Sequence, residues 1–210
     1  MSELKFKFED SQQYQLDAIA AMTDIFVGAE RADPVFAVVK GIIDEGALPG
    51  MGEFGGIANP ALTNLDALRE NVRTVQMRNG IFVPKGKGPL DSWKVKDPTL
   101  DDVERDCPHF SVEMETGTGK TYVYLRTIME LSRKYGMRKF VVVVPSIAIR
   151  EGVKKSIGQT EEHFQTLFNG SKIESFIYDS RNVSRLRTFA SASTIQVMII
   201  NIQAFIRGYS

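Results

Sequence analysis

The sequence predicts an α/β domain of the doubly wound kind, a mostly parallel sheet with helices on both faces, preceded by a loop-rich insertion. Three observations predict it. From Phe110 onward, apolar runs of strand length alternate with stretches of helical rhythm. Two of those runs, Lys139-Phe140-Val141-Val142-Val143-Val144 and Thr194–Ile202, are apolar on both faces, as central parallel strands covered by helices must be. Between a strand-like Phe110–Met114 and a helical Tyr122–Tyr135 stands Met114-Glu115-Thr116-Gly117-Thr118-Gly119-Lys120-Thr121. A strand, a glycine-bearing turn ending in Gly-Lys-Thr and a helix are the context that a phosphate-binding P-loop needs.

Each residue type in that turn has a chemical reason. Gly117 and Gly119 let backbone N–H groups turn inward, so that Thr116, Gly117, Thr118 and Gly119 form a cradle for phosphates. The helix N-terminus behind them adds partial positive charge. Lys120 is placed to reach the β- and γ-phosphates, and the Thr121 hydroxyl to bind Mg²⁺; these two are the candidate catalytic residues. An ordinary glycine turn is the plain alternative, and Gly-x-Gly-Lys-Thr between a strand and a helix disfavours it. Met114 stands where the general pattern has its first glycine. A large residue there fits loops of small-molecule kinases and GTPases poorly and resembles those of helicase-like ATPases.

The elements follow in order. Residues 11–27 carry Tyr14, Leu16, Ile19, Ala20, Met22, Thr23 and Phe26 at mostly three- and four-residue spacing, which predicts an amphipathic helix ending near Gly28. Pro34, Pro49, Gly50, Gly52, Gly55, Gly56 and Pro60 then indicate loops, interrupted by a short helix around Val35–Ile43. Over 64–78, Leu65, Leu68, Val72 and Val75 outweigh the hairpin signal of Asn79-Gly80, so a helix capped at Thr63 or Asn64 and stopped at Gly80 is expected. Ile81–Val83 reads as a strand before the Gly/Pro-rich run Pro84–Pro89. After Phe140–Val144 come a helix from Ser146, a second short helix around Glu161–Phe168, a strand Ile173–Tyr178, a helix Asn182–Ala190 and the strand Thr194–Ile202.

Composition narrows the functional classes. With 210 residues, 43% hydrophobic and 25% charged, the chain has material for one real core plus an insertion. Cys107, the single cysteine, excludes an internal disulfide and suits a reducing compartment. No signal peptide opens the chain and no run approaches the roughly 20 apolar residues of a membrane span, so a cytoplasmic protein with no membrane partner is expected. The formal net charge of zero hides an asymmetry: residues 1–105 hold 12 Lys+Arg against 17 Asp+Glu, residues 106–210 hold 14 against 9. A polyanion would be drawn to the second half. His109 and His163 lie far apart without metal-ligand spacing, no Gly-x-Ser-x-Gly elbow occurs, and Trp93 reads as a packing anchor.

Three segments resemble the helicase-like ATPase module of the Res subunit of type III restriction-modification enzymes. They are Glu113–Thr127, with its Glu-Met-Glu lead-in and Tyr-Val-Tyr-Leu-Arg-Thr tail, then Val144–Val153, and Ile199–Phe205. The likeness covers roughly 110–206, with a weaker echo at 12–27 and 57–80. It implies a RecA-like fold divided into a helix with an adenine-reading glutamine (1–27), an insertion (28–105) and an incomplete first RecA-like core (106–210). It implies ATP and Mg²⁺ as cofactors, with double-stranded DNA and a modification (methyltransferase) subunit as partners. By position, Gln15 matches the upstream glutamine of superfamily-two helicases, whose amide reads the adenine edge; otherwise it is one more polar residue on a helix face. Pro145, Ser146 and Arg150 match a segment that contacts the phosphates of one nucleic-acid strand, with Arg150 expected exposed on the P-loop side. Arg150 reads equally as a solvated surface residue. Gln203 and Phe205 match a further DNA-facing segment, Phe205 being rather a core residue.

The family's second ATPase motif, an Asp-Glu pair, has no counterpart after the P-loop; Asp44-Glu45 lies before it. Its carboxylates hold Mg²⁺ and orient water. The chain is therefore expected to be the N-terminal piece of a longer ATP-dependent restriction endonuclease and not to turn over alone. Two rivals stand beside this: another superfamily-two helicase or translocase without nuclease, and a nucleotide-binding interaction module that never hydrolyses.

Overall fold

The computed structural model describes residues 8–31, 38–39, 56–62, 64–81, 93–96, 104–179 and 182–203. In chain order they form α1 (Gln13–Thr23) with a 3-10 turn (Asp24–Phe26), β1 (Val38–Val39), β2 (Gly56–Ile57), α2 (Leu65–Arg78), β3 (Lys94–Lys96) and β4 (Glu104–Asp106). The second half supplies α3 (Lys120–Tyr135), β5 (Lys139–Val144), α4 (Ile147–Leu167), β6 (Ile173–Ile177), α5 (Val183–Ser191) and β7 (Ile195–Asn201).

β5, β7 and β6 pair in parallel, in that order across the sheet. β7 takes the centre, and all seven of its residues are buried. Alternation along it separates two cores. Ile195, Val197 and Ile199 pack with Leu125, Ile128 and Met129 of α3 and with Val153, Ile157 and Phe164 of α4. Met198, with Phe176 of β6, packs on Leu186 and Phe189 of α5. Helices thus cover both faces, and the continuous apolar character of β7 follows from that double burial.

Five expectations change on contact with the structure. β5, expected to be a central strand covered on both faces, is an edge strand of the described three-stranded sheet, and its Val141 and Val143 are each 49% exposed, because β7 alone is flanked on both sides. The strand expected at Phe110–Met114 is a segment without regular secondary structure that pairs with no strand among the described residues. Its alternation supplies a face, yet a strand also needs a hydrogen-bonding neighbour, and Phe110 instead sets its ring edge-on to Trp93 at 5.5 Å. The two helices expected after Ser146 are one, Ile147–Leu167, because Val153, Ile157, Thr160 and Phe164 form an unbroken buried stripe. An exposed mid-helix glycine, Gly158, costs about 1 kcal/mol, less than the burial of Ile157 and Phe164 gains at about 1.5–3 kcal/mol each. Within the helix expected at Val35–Ile43, β1 pairs antiparallel with β2; the rest of that stretch lies outside the described residues. Ile81 is exposed and outside any strand, and 82–83 lie outside the described residues.

The remaining elements behave as their patterns predict. Asn64 caps α2 by accepting from Ala67 N at 2.9 Å, and the chain leaves that helix at Gly80. Trp93 is 1% exposed and joins Ile25, Leu68 and Val72 in a second small core. Segments before the P-loop are tied directly to the sheet domain. Asn59 Oδ1 accepts from Arg138 N (2.7 Å) and Lys139 N (2.8 Å), and its amide donates to Lys139 O (2.7 Å), so one side chain clasps the start of β5. α1 runs alongside α3 in the same direction: Gln15 meets Thr118 just before α3, while Lys134 Nζ and Tyr135 Oη donate to Thr23 at its end. Among the described residues, no helix is long and apolar enough to cross a membrane.

Candidate functional site

The P-loop owes its shape to two backbone positions. Gly117 and Gly119 have φ of 84° and 83°, left-handed values that strain any residue with a Cβ. Gly119 is also the N-cap of α3, so that helix starts without a side-chain cap and without an acidic residue in its first turn. An N-terminus of this kind leaves its first amides to an anion. Two groups converge on one acceptor beneath the turn: Thr118 Oγ1 and Lys120 Nζ donate to Glu115 O at 2.7 and 2.5 Å. The lysine thereby lies folded over its own loop, holding a neutral carbonyl. A phosphate oxygen would be a stronger partner, since ionised acceptors roughly double the strength of such bonds.

Gln15 reaches this loop from α1, a connection across 103 positions of sequence. Its Nε2 donates to Thr118 O at 2.9 Å, and the residue is only 9% exposed. A Cβ at Gly119 would lie 2.7 Å from that Nε2, so the amide occupies space that only a glycine leaves open. Thr116, Gly117, Gly119 and Lys120 are exposed, while Thr118 and Thr121 are half-buried. The structure thus gathers all the sequence-predicted nucleotide residues, Gln15 and Thr116 to Thr121, in one place. An uncapped cationic helix start, an exposed ammonium and an aimed amide suit a nucleotide polyphosphate with its base.

The second predicted surface forms at the end of the sheet. Val144 of β5 and Asn201 of β7 are register partners. Pro145-Ser146 and Ile202-Gln203 therefore leave neighbouring parallel strands together, at the edge where α/β sheets present ligand loops. Ser146 caps α4, its Oγ accepting from Ile149 N at 3.3 Å, which leaves its hydroxyl proton free for another acceptor. Pro145 and Gln203 are exposed. Arg150 departs from the free exposure expected of it. Its side chain is 24% exposed and pairs with Glu151 at 2.9 Å. A half-exposed pair between sequence neighbours is weak, so the guanidinium can exchange that carboxylate for a phosphate. Phe205 lies outside the described residues.

Sequence reading overlooked one cluster. Tyr122 Oη lies 2.9 Å from His163 Nε2, and Arg126 Nη1 donates to Asp10 O at 2.6 Å. The i,i+4 spacing of Tyr122 and Arg126 on the P-loop helix was a local signal that these side chains share a face. Nothing in the sequence says what they face, because His163 and Asp10 are brought by other elements.

Comparison with known proteins points to one family. A family model described as "Type III restriction enzyme, res subunit" matches residues 69–209, from within α2 through β7 and beyond. The StyLTI Res subunit of Salmonella typhimurium, a type III restriction-modification enzyme, is 37% identical over 123 residues, 50% of this chain and 12% of that protein. The EcoP15I Res subunit of Escherichia coli is 34% identical over 112 residues, 52% of this chain and 10% of the relative. The EcoPI Res subunit of Escherichia phage P1 is 25% identical over 179 residues, 84% of this chain and 15% of the relative. The chain thus spans no more than 15% of the length of these relatives.

Proposed function

The chain belongs to the type III restriction enzyme Res-subunit family, and from that premise we propose that it is the ATP-binding first motor domain of a DNA-translocating restriction endonuclease. The single observation that carries this reading is the meeting of Gln15 with the P-loop, a base-reading amide 2.9 Å from the carbonyl of Thr118. In this reading the amides of Thr116 to Thr121 hold the phosphates of ATP, and Lys120 leaves Glu115 O for the β- and γ-phosphates. Gln15 offers a donor and an acceptor to the adenine edge, and Thr121 contributes its hydroxyl to Mg²⁺. When bound, Mg²⁺ would neutralise phosphate charge. Segment 1–27 serves the adenine, 106–210 is the RecA-like core, and 28–105 is an insertion.

No Asp-Glu pair follows the P-loop within residues 1–210, so these residues alone are expected not to turn over. In the whole protein, ATP-driven movement along double-stranded DNA precedes cleavage, a methyltransferase subunit is the partner, and the compartment is the cytoplasm. The test uses the full-length protein with its modification subunit on double-stranded DNA. Cleavage that requires ATP is the expected result. ATP-driven translocation without cleavage identifies a helicase-like motor instead, and absence of DNA-stimulated turnover leaves only a nucleotide-binding module.

Pro145, Ser146, Arg150 and Gln203 are the proposed DNA contacts, all toward the phosphate backbone. Binding through them is expected to be non-specific, at dissociation constants of about 10⁻⁴–10⁻⁶ M, and to weaken as salt rises. Arg150→Glu is expected to weaken it further and to lower the slope of log affinity against log salt by about one. Titration of fluorescent duplex DNA at several salt concentrations reads both effects, and an unchanged slope would remove Arg150 from the interface.

A further inference from the structure

A buried arginine on the P-loop helix has no role in the chemistry above. Arg126 is 9% exposed, and among the described residues it forms no ion pair. Its Nη1 donates to the Asp10 carbonyl at 2.6 Å and to Tyr122 Oη at 3.4 Å, while its buried Nε has no hydrogen-bond partner among the described residues. Burying a guanidinium against backbone and phenol oxygens alone is unfavourable in itself. What it holds is the segment that leads into α1. Phe8 stacks on Tyr122 with ring centroids 5.9 Å apart and leans on His163 at 5.4 Å. Tyr122 is bound in turn to His163 of α4. Burial, the largest influence, lowers the pKa of the His163 imidazole, with Asp10 opposing the shift and Arg126 adding to it.

The geometry continues along the chain. Gln15 lies five residues after Asp10, at the start of α1, and α1 enters its helix from Gln12 without a side-chain cap. Gln15 itself bonds Thr118 O, and the backbone that carries it is held at both ends, by the clamp on residues 8–10 and by the bonds to Thr23. A side-chain amide reads a base only if held to within a fraction of an ångström, and such precision comes from the groups supporting it.

We infer that Arg126, with Tyr122 as its brace, is a positioning residue for base recognition: it anchors the strap before α1 so that Gln15 is presented to the nucleobase over the P-loop. The inference rests on the proposed reading of Gln15 as the adenine contact. It also explains the Tyr-Val-Tyr-Leu-Arg-Thr tail of the P-loop, since the first and fifth of those residues are the clamp.

The experiment measures binding of ATP and of GTP to the full-length protein by calorimetry, for the parent, Gln15→Ala, Arg126→Ala and the double variant. A structural role alone would move both nucleotides together, whereas a positioning role moves their ratio. Arg126→Ala is expected to reduce the preference for ATP over GTP roughly threefold to tenfold, the worth of one neutral hydrogen bond. GTP affinity stays within about twofold, and the double variant is no less selective than Gln15→Ala. Equal losses for both nucleotides, an unchanged ratio, or additive losses in the double variant would overturn the inference. If Gln15→Ala itself leaves the ratio unchanged, the adenine reading of Gln15 fails and the inference falls with it. If Gln15→Ala abolishes the preference and Arg126→Ala does not, only the inference fails. Should Arg126→Ala not fold, Phe8→Ala decides: it loosens the same strap without exposing a buried charge, and an unchanged ratio there overturns the proposal.

Discussion

Leu125→Ala is expected to lower the unfolding free energy by about 3–5 kcal/mol, the upper range for a leucine truncated in a rigid core. Leu125 is fully buried, at 0% exposure, in the core that joins α3 and α4 to one face of β7. Its neighbours come from three elements, so no single shift of one helix can refill the space, and the cavity penalty adds to the lost transfer energy. Domains of this size are stable by only about 5–15 kcal/mol, so the loss would be a large share of the total. Urea denaturation followed by circular dichroism measures it, with an unchanged m-value showing that the denatured state is not what moved. A loss below about 1 kcal/mol would mean that α3 is not packed on the sheet as described.

Lys120→Ala should leave stability nearly untouched and remove most of the nucleotide affinity. Lys120 is exposed, and the bond it makes within the chain goes to the exposed carbonyl of Glu115. Surface substitutions of that kind stay within about 0.5 kcal/mol. With ATP bound, the same ammonium exchanges a neutral carbonyl for phosphate oxygens, a charge-assisted contact worth about 1.5–3 kcal/mol. The expected loss is therefore roughly ten- to 150-fold in affinity. Calorimetric titration of the full-length protein with ATP and Mg²⁺ reads it, and equal affinity for parent and variant would refute the P-loop assignment. The two predictions are separable, because Leu125 and Lys120 lie on one helix yet report on opposite properties of it.

How much of this was legible in the sequence depends on the range of the interaction concerned. Local rules sufficed for α2, α3, α5 and the existence of the three parallel strands, though not for the place of β5, an edge strand whose Val141 and Val143 are exposed. Their signals, a capping Asn64, the glycines 80 and 136 at helix ends and the apolar runs of β5 and β7, act within a few residues. The same rules failed at α4, where a local break outside the core was overruled by a buried stripe spanning Val153 to Phe164. They failed again at Phe110–Met114, where alternation was present and a pairing partner was not.

Residue types carry the local signals of the candidate site: glycines where φ must be positive, a lysine and a threonine at a helix start, and an alternation of elements that places this start in an α/β domain. Which distant groups meet there is a property of the folded chain. Gln15 lies 103 positions from Thr118, Asn59 lies 80 from Lys139, and Asp10 lies 116 from Arg126. The pairing of Val144 with Asn201 is what sets Pro145 beside Ile202. Local patterns record the conformational preferences of a few consecutive residues, whereas these contacts follow from the joint burial of several elements around β7. No short window of sequence contains that information, and the fold supplies it only once the core is assembled.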